Sequence, residues 1–165
     1  QDSQTLSPLT SLLVISSAFL EMAERSPARY RMVDLMLVDP RSMVPEEDRM
    51  MVLQTLFELL ARVERLLEQS STCNLISTGH ARERTIVLWS ALLGINSMFK
   101  MRRLYPEQVP AKNLAKDTIT ALFVAWGCDA SALNTHFKEA AAFLNELAAE
   151  SNPTPEGDPL WRSLS

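Results

Sequence analysis

From Ile86 to Phe99 the chain reads Ile-Val-Leu-Trp-Ser-Ala-Leu-Leu-Gly-Ile-Asn-Ser-Met-Phe. Charged residues flank this run on both sides, from Arg82 to Glu83 and from Lys100 to Arg103. The stretch Ala81 to Leu104 has the length of a long helix, and its middle carries no polar face. A surface helix keeps one polar side; a helix that is apolar all round must be covered all round. The run is too short to cross a bilayer, which takes about 20 apolar residues. Two arrangements remain: the helix is the centre of its own domain, or one face is covered by a second copy. Ser90, Ala91, Gly94 and Ser97 recur every three to four residues and make a smooth seam along it. Glycine in mid-helix costs about 1 kcal/mol against alanine, so close approach of another helix is the expected compensation. A tight crossing inside one chain satisfies the same spacing.

The rest of the sequence reads as helix throughout. Glycine is scarce, at 4 of 165 residues, and leucine, alanine, methionine and glutamate favour helix. Six helices are predicted in an all-α antiparallel bundle. The first covers about Ser7 to Arg25, with Leu9, Leu12, Leu13, Phe19, Leu20 and Ala23 near one face. Ser26-Pro27 stops it and starts a short second helix bearing Tyr30, Val33 and Leu37. Pro45-Glu46-Glu47-Asp48 opens the third, where three acids complement the positive end of the helix dipole. Met50, Leu53, Phe57, Leu60, Val63 and Leu67 make its stripe. The apolar helix is the fourth. The fifth runs from about Ala111 to Trp126 and stops at Gly127. The sixth, about Ala130 to Glu150, is capped by Asp129 or Ser131. Residues 1–150 form one helical domain of ordinary size; residues 151–165, with three prolines and a glycine, form a tail whose Trp161 can dock on the body.

Charge narrows the function. Sixteen Lys and Arg face 20 Asp and Glu, a net charge of -4, the wrong sign for a chain that itself grips nucleic acid. Arg82, Arg84, Lys100, Arg102 and Arg103 lack interleaved aromatics, and the last three are placed to cover the negative end of their helix. The two cysteines, Cys73 and Cys128, give neither a disulfide framework nor zinc spacing; two reduced thiols point to the cytoplasm. The apolar stretch Leu12 to Leu20 has no basic leader, so neither a signal peptide nor a membrane segment is expected. A chain that begins at Gln1 is expected to have lost residues upstream.

Catalytic motifs are missing from the sequence. It carries no nucleophile elbow, P-loop or dinucleotide glycine pattern. His80 and His136 are both expected on the surface. Glu46-Glu47-Asp48 reads as a dipole cap rather than a metal cluster, and no cofactor is expected. What the chain offers is apolar bulk. Phe19, Met22, Tyr30, Met36, Phe57, Leu60, Trp89, Leu93 and Phe123 spread over five helices, with Asn96 and Ser90 as polar groups on the apolar one. Binding pockets are apolar with a few placed polar groups, and an ordinary core has the same composition.

Trp89-Ser-Ala-Leu-Leu-Gly94-Ile95 resembles the Trp-containing, glycine-bearing helix in the C-terminal domains of TetR-type regulators. Leu122-Phe123-Val124-Ala125-Trp126-Gly127, after a proline-rich break, is similar to the family's next helix. Phe19-Leu20 and Pro27-Ala28-Arg29-Tyr30-Arg31-Met32 resemble its helix pair around a Pro-x-x-Tyr turn. The likeness covers about Leu9 to Gly127 and consists of a helix pattern and short motifs. Where many members carry histidine before the helix glycine, this chain has Leu93, so that polar contact is absent. The resemblance implies a homodimer through the fourth and fifth helices, with Ser90, Ala91, Gly94, Ser97, Leu122 and Trp126 at the interface. It implies a pocket for a small, mostly apolar effector, lined by the residues named above with Asn96 orienting the ligand. It also implies a DNA-binding helix-turn-helix upstream, outside this sequence, through which alone the protein would touch DNA. A helical protein-interaction module with no small-molecule ligand is the alternative.

Overall fold

The computed structural model describes residues 6–26, 30, 45–105 and 113–151. Among them it is all-helical, with five helices and no strand. They are α1 (Pro8–Arg25), α2 (Glu46–Thr72), α3 (Ala81–Leu104), α4 (Leu114–Ala125) and α5 (Ala130–Ser151). The predicted short helix lies outside the described residues except for Tyr30, as does the predicted tail beyond Ser151. None of the described helices is long and apolar enough to cross a membrane.

Local chemistry sets the helix ends. Ser7 caps α1: its hydroxyl accepts from the Thr10 amide at 3.0 Å, and Pro8 takes the first turn, where no amide is needed. Asp129 caps α5, accepting at one carboxylate oxygen from the amides of Ser131 and Ala132, both at 2.9 Å, and from the Ser131 hydroxyl. These bonds, the Ser131 hydroxyl first, hold the Asp129 carboxyl below its usual range. α2 ends with Asn74 in the left-handed region at φ 57°, a conformation asparagine tolerates better than most residues.

A hinge-like corner joins α2, α3 and α4. The Ser77 amide and hydroxyl both donate to the Trp126 carbonyl, at 2.8 and 2.7 Å. Arg84 donates to the Ser77 carbonyl at 2.7 Å and lies 5.5 Å from the centre of the Trp126 ring. Gly127 turns there with φ +88°, and a β-carbon on it would stand 3.2 Å from the Ser77 side chain. The positive φ favours glycine, and the close approach of Ser77 adds to that preference.

α1 is the buried centre, so of the two arrangements open to the Ala81–Leu104 helix, the one that makes it the centre of its own domain is not the one adopted. α1 packs against α2, α3 and α5, and Leu9, Leu12, Leu13, Phe19 and Leu20 are all buried. Its polar residues did not betray this because hydroxyls can be satisfied within their own helix. Ser16, 1% exposed, donates to the Leu12 carbonyl at 2.8 Å. α3 has an apolar middle with no polar face, yet it is covered by its own chain on one side only. Thr85, Leu88, Leu92, Ile95 and Asn96 face the core, while Ile86, Val87, Ser90, Gly94, Ser97, Met98 and Met101 are exposed.

Candidate functional site

Two surfaces of α3 concentrate the unusual chemistry. The inner one begins with a small cavity of about 20 Å³ lined by residues of α1, α2 and α3, among them Ser16, Phe19, Leu60, Thr85, Trp89 and Leu92. That volume holds one water molecule and no organic ligand. Phe19 is its organising side chain: its ring centre lies 4.7 Å from Trp89, tilted by 51°, and 6.0 Å from Tyr30, nearly edge-on. Such aromatic pairs add about 0.5–1.5 kcal/mol beyond burial. The Ser16 and Thr85 hydroxyl protons are already donated to the backbone carbonyls of Leu12 and Ala81. Only their acceptor lone pairs remain.

Asn96 stands one helical turn beyond Leu92 on this inner face. It is 2% exposed, and neither its amide nitrogen nor its carbonyl oxygen has a hydrogen-bond partner on the protein. Leaving a buried polar group unpaired costs about 1–3 kcal/mol. Met22 and Leu93 are partly buried against the same core.

Several expected ligand-binding residues fall elsewhere. Phe57 is 63% exposed on α2, beside Met50, Met51 and Leu53 along an open surface depression. The three- and four-residue periodicity that placed it in the core tracks one helical face, and in the first half of α2 that face leaves Met50 and Phe57 exposed. Phe123 is fully buried, but it packs edge-on against Trp126, 5.2 Å between ring centres, and is not among the cavity's lining residues. Met36 lies outside the described residues. Of the ten, Phe19, Leu60 and Trp89 therefore meet at the cavity, with Tyr30 behind Phe19 and Asn96 one turn beyond.

The outer surface of α3 is a stripe: Val87, Ser90, Gly94, Ser97 and Met101, in alternating steps of three and four residues, all exposed. This is the spacing of a helix seam made for another helix. A β-carbon on Gly94 would meet nothing within 4 Å, so the protomer's own packing does not require that glycine. The tight internal crossing allowed by the sequence is thereby corrected. Ile86 at 52%, Val87 at 45% and, on α4, Val124 at 43% exposure extend the apolar surface. These three were missed from the sequence, although Val87 is one step along the seam from Ser90. Among the expected interface residues, Ser90, Gly94 and Ser97 lie on the stripe and Ala91 is half-buried beside it. Leu122 and Trp126 instead pack in part against their own core, and the open side of α4 carries Ala121, Val124 and Ala125.

A third cluster was not foreseen. His136 on α5 is not a free surface side chain; it is 15% exposed and tied to the start of α1. Its Nδ1 lies 2.9 Å from the Thr10 hydroxyl, 3.2 Å from Glu139 and 3.3 Å from Ser7. Thr10 donates to Glu139 at 2.7 Å; this bond is the largest influence on the Glu139 carboxyl and lowers its pKa, burial opposes it next, and His136 adds a smaller lowering. A serine–histidine–carboxylate relay needs one partner on each ring nitrogen. Here all three oxygens crowd the same nitrogen, and the arrangement fastens α1 to α5. His80 caps α3 through no side-chain hydrogen bond and is exposed. Among the described residues no group of three or more His, Cys, Asp or Glu could hold a metal ion. Cys73 and Cys128 are both free thiols, the first exposed and the second buried.

No family model, curated protein or solved structure matches this chain.

Proposed function

We propose that this chain is the effector-sensing and dimerisation domain of a TetR-like bacterial transcriptional regulator, working in the cytoplasm as a homodimer. The observation that carries the reading is the exposed seam of α3. Val87, Ser90, Gly94, Ser97 and Met101 form an exposed small-and-apolar stripe along the helix, with a glycine that nothing inside the protomer explains. The resemblance assigns dimerisation to this helix and α4. Soluble monomers seldom leave such a surface uncovered. The sensing half rests on the opposite face of the same helix, where a small cavity is lined by Phe19 and Trp89 and Asn96, one turn beyond Leu92, is buried without a partner. One helix bearing both surfaces gives a means of coupling. A ligand that favours one position of α3 also favours one dimer geometry, and so changes the spacing of two upstream DNA-reading domains.

Sedimentation equilibrium at micromolar concentration tests the dimer: twice the chain mass is expected, and a strict monomer overturns it. A thermal-shift panel of small apolar compounds tests sensing, because a ligand that binds only the folded state raises Tm.

The second reading, a helical protein-interaction module without a small-molecule ligand, is favoured by the cavity itself. At about 20 Å³ it is far below the several hundred that ligand pockets occupy. That reading keeps the dimer or partner seam and predicts no hit in the thermal panel.

A further inference from the structure

We propose that the first half of α2 is a second self-association surface, on which the same face of another copy packs antiparallel with Gln54 at the two-fold axis. Met50, Met51 and Phe57 each stand more than half exposed there. With Leu53 and Ala61 they line an open depression whose charged residues, among those described, are Glu47 and Glu58. Glu47, Met50, Gln54, Phe57 and Ala61 follow in steps of three and four, the spacing by which one helix packs along another. The exposed face continues through Arg62, so its charge runs from acid at Glu47 to base at Arg62. Among the described residues neither of these is held in an ion pair. Antiparallel pairing satisfies both ends at once. An axis at Gln54 sets Glu47 beside Ala61 and Arg62 of the copy, and Met51 beside its Phe57. Parallel pairing would set acid on acid and base on base. An axis at Glu58 would bring that carboxylate against itself and Met51 against Arg65, and an axis at Met50 would run Phe57 past the start of the helix. Gln54 suits the axis because a carboxamide both donates and accepts. One of its protons goes to Glu58 at 3.2 Å, which leaves the other N–H and the carbonyl for the copy. Such a contact is isologous, each patch being its own partner, and it lies on a different helix from the α3 seam. A chain with both contacts assembles as a dimer of dimers.

Sedimentation equilibrium of the full chain, from micromolar to hundreds of micromolar, reads the contact. The mass is expected to rise in a second step, from two chains to four. If the α3 dimer fails and the α2 contact holds, the step runs from one chain to two, so the two interfaces fail separately. A mass that shows no second step overturns the α2 contact. Glu47→Arg and Arg62→Glu are each expected to weaken this step at least about fivefold, since either reversal sets like charges together at two symmetric places. The double variant is expected to regain wild-type association, and its failure to do so overturns the pairing. Phe57→Asp is expected to abolish the step and leave the Tm of dilute protein unchanged. A loss of Tm that is equal at every concentration shows that the chain itself covers this face, and overturns the proposal. In a Cys73→Ser background, Gln54→Cys is expected to form a disulfide with its own copy far faster than Ala61→Cys, which the axis holds about 20 Å from its counterpart. Equal rates overturn the antiparallel register.

Discussion

The two faces of α3 carry nearly the same share of apolar side chains, and the fold treats them in opposite ways. Thr85, Leu88, Leu92 and Ile95 are sealed against α1 and α2, while Val87, Ser90, Gly94 and Met101 stand open. Hydrophobicity alone does not distinguish them. Size does: the inner face is built from branched bulk that fills space, the outer from residues that leave a backbone approachable. The comparison teaches that a run apolar all round need not be buried all round: the chain's own packing covers one face of α3, and the dimer proposed above would use the other.

The largest expected effect lies on the inner face. Leu92→Ala removes a side chain that is 4% exposed, and should cost about 2–5 kcal/mol of stability by urea titration in dilute protein. Val87→Ala, on the outer face, should change dilute stability by less than about 0.5 kcal/mol. Its cost should appear only as protein concentration rises, because assembly adds stability by mass action. Equal losses for the two in dilute solution would break the distinction between the faces.

The next effect concerns polar groups. Thr10 and Asn96 are both buried, yet Thr10 has Ser7, His136 and Glu139 around its hydroxyl and Asn96 has no partner. Thr10→Val should therefore lose about 1–2 kcal/mol, or roughly 2–4 °C in Tm for each kcal/mol. A gain would mean that the α1–α5 cluster is as poorly satisfied as the Asn96 amide.

Gly94 tests the outer face from the other direction. With nothing within 4 Å of an added β-carbon, Gly94→Ala should raise the stability of the single chain by up to about 1 kcal/mol through helix propensity. The same methyl should weaken self-association, measured as a higher dimer dissociation constant by sedimentation. Stabilisation without any effect on association would move the interface off this seam.

Much of this was legible in the residues, and the failures have identifiable physics. The helix stops at Ser26 and Gly127 and the Asp129 cap are written in local chemistry that acts over three or four residues, and α1, α3 and α5 lie where periodicity put them. Burial is not local. Phe57 has the right spacing for a core position and is exposed, because spacing fixes a face and only tertiary packing decides what that face meets. Ser16 and Ser17 look like surface residues and are buried within α1. The Thr10–His136–Glu139 cluster joins residues more than 120 positions apart, and nothing in either segment names the other. For the site, the sequence singled out Phe19, Trp89 and Asn96 but carried no measure of volume, so it could not foresee a cavity closed to about 20 Å³.

The smallest effect separates two carboxylates by sign. Hydrogen bonds from Thr10 and then His136 lower the Glu139 pKa from its ordinary 4.5, so the folded chain holds that proton less tightly than the unfolded one. Its contribution is present above about pH 4.5 and is lost as pH falls through the lowered value. Glu21 is the reverse. Burial raises its pKa, with Glu24 adding to the rise, and the ion pair to Arg25 at 2.6 Å only partly offsets them. The folded chain binds that proton more tightly, so its contribution is greatest below 4.5 and is lost as pH rises through the raised value. Glu139→Gln should thus flatten the acid side of the Tm–pH curve, and Glu21→Gln should lift Tm slightly at neutral pH with little change in acid. Glu139 is 48% exposed, and solvent screening keeps its effect small. If both variants moved the curve in the same direction, one of the two carboxylates would not sit in the surroundings described, and the contrast between a satisfied polar cluster at α1's start and a strained carboxylate near its end would fail.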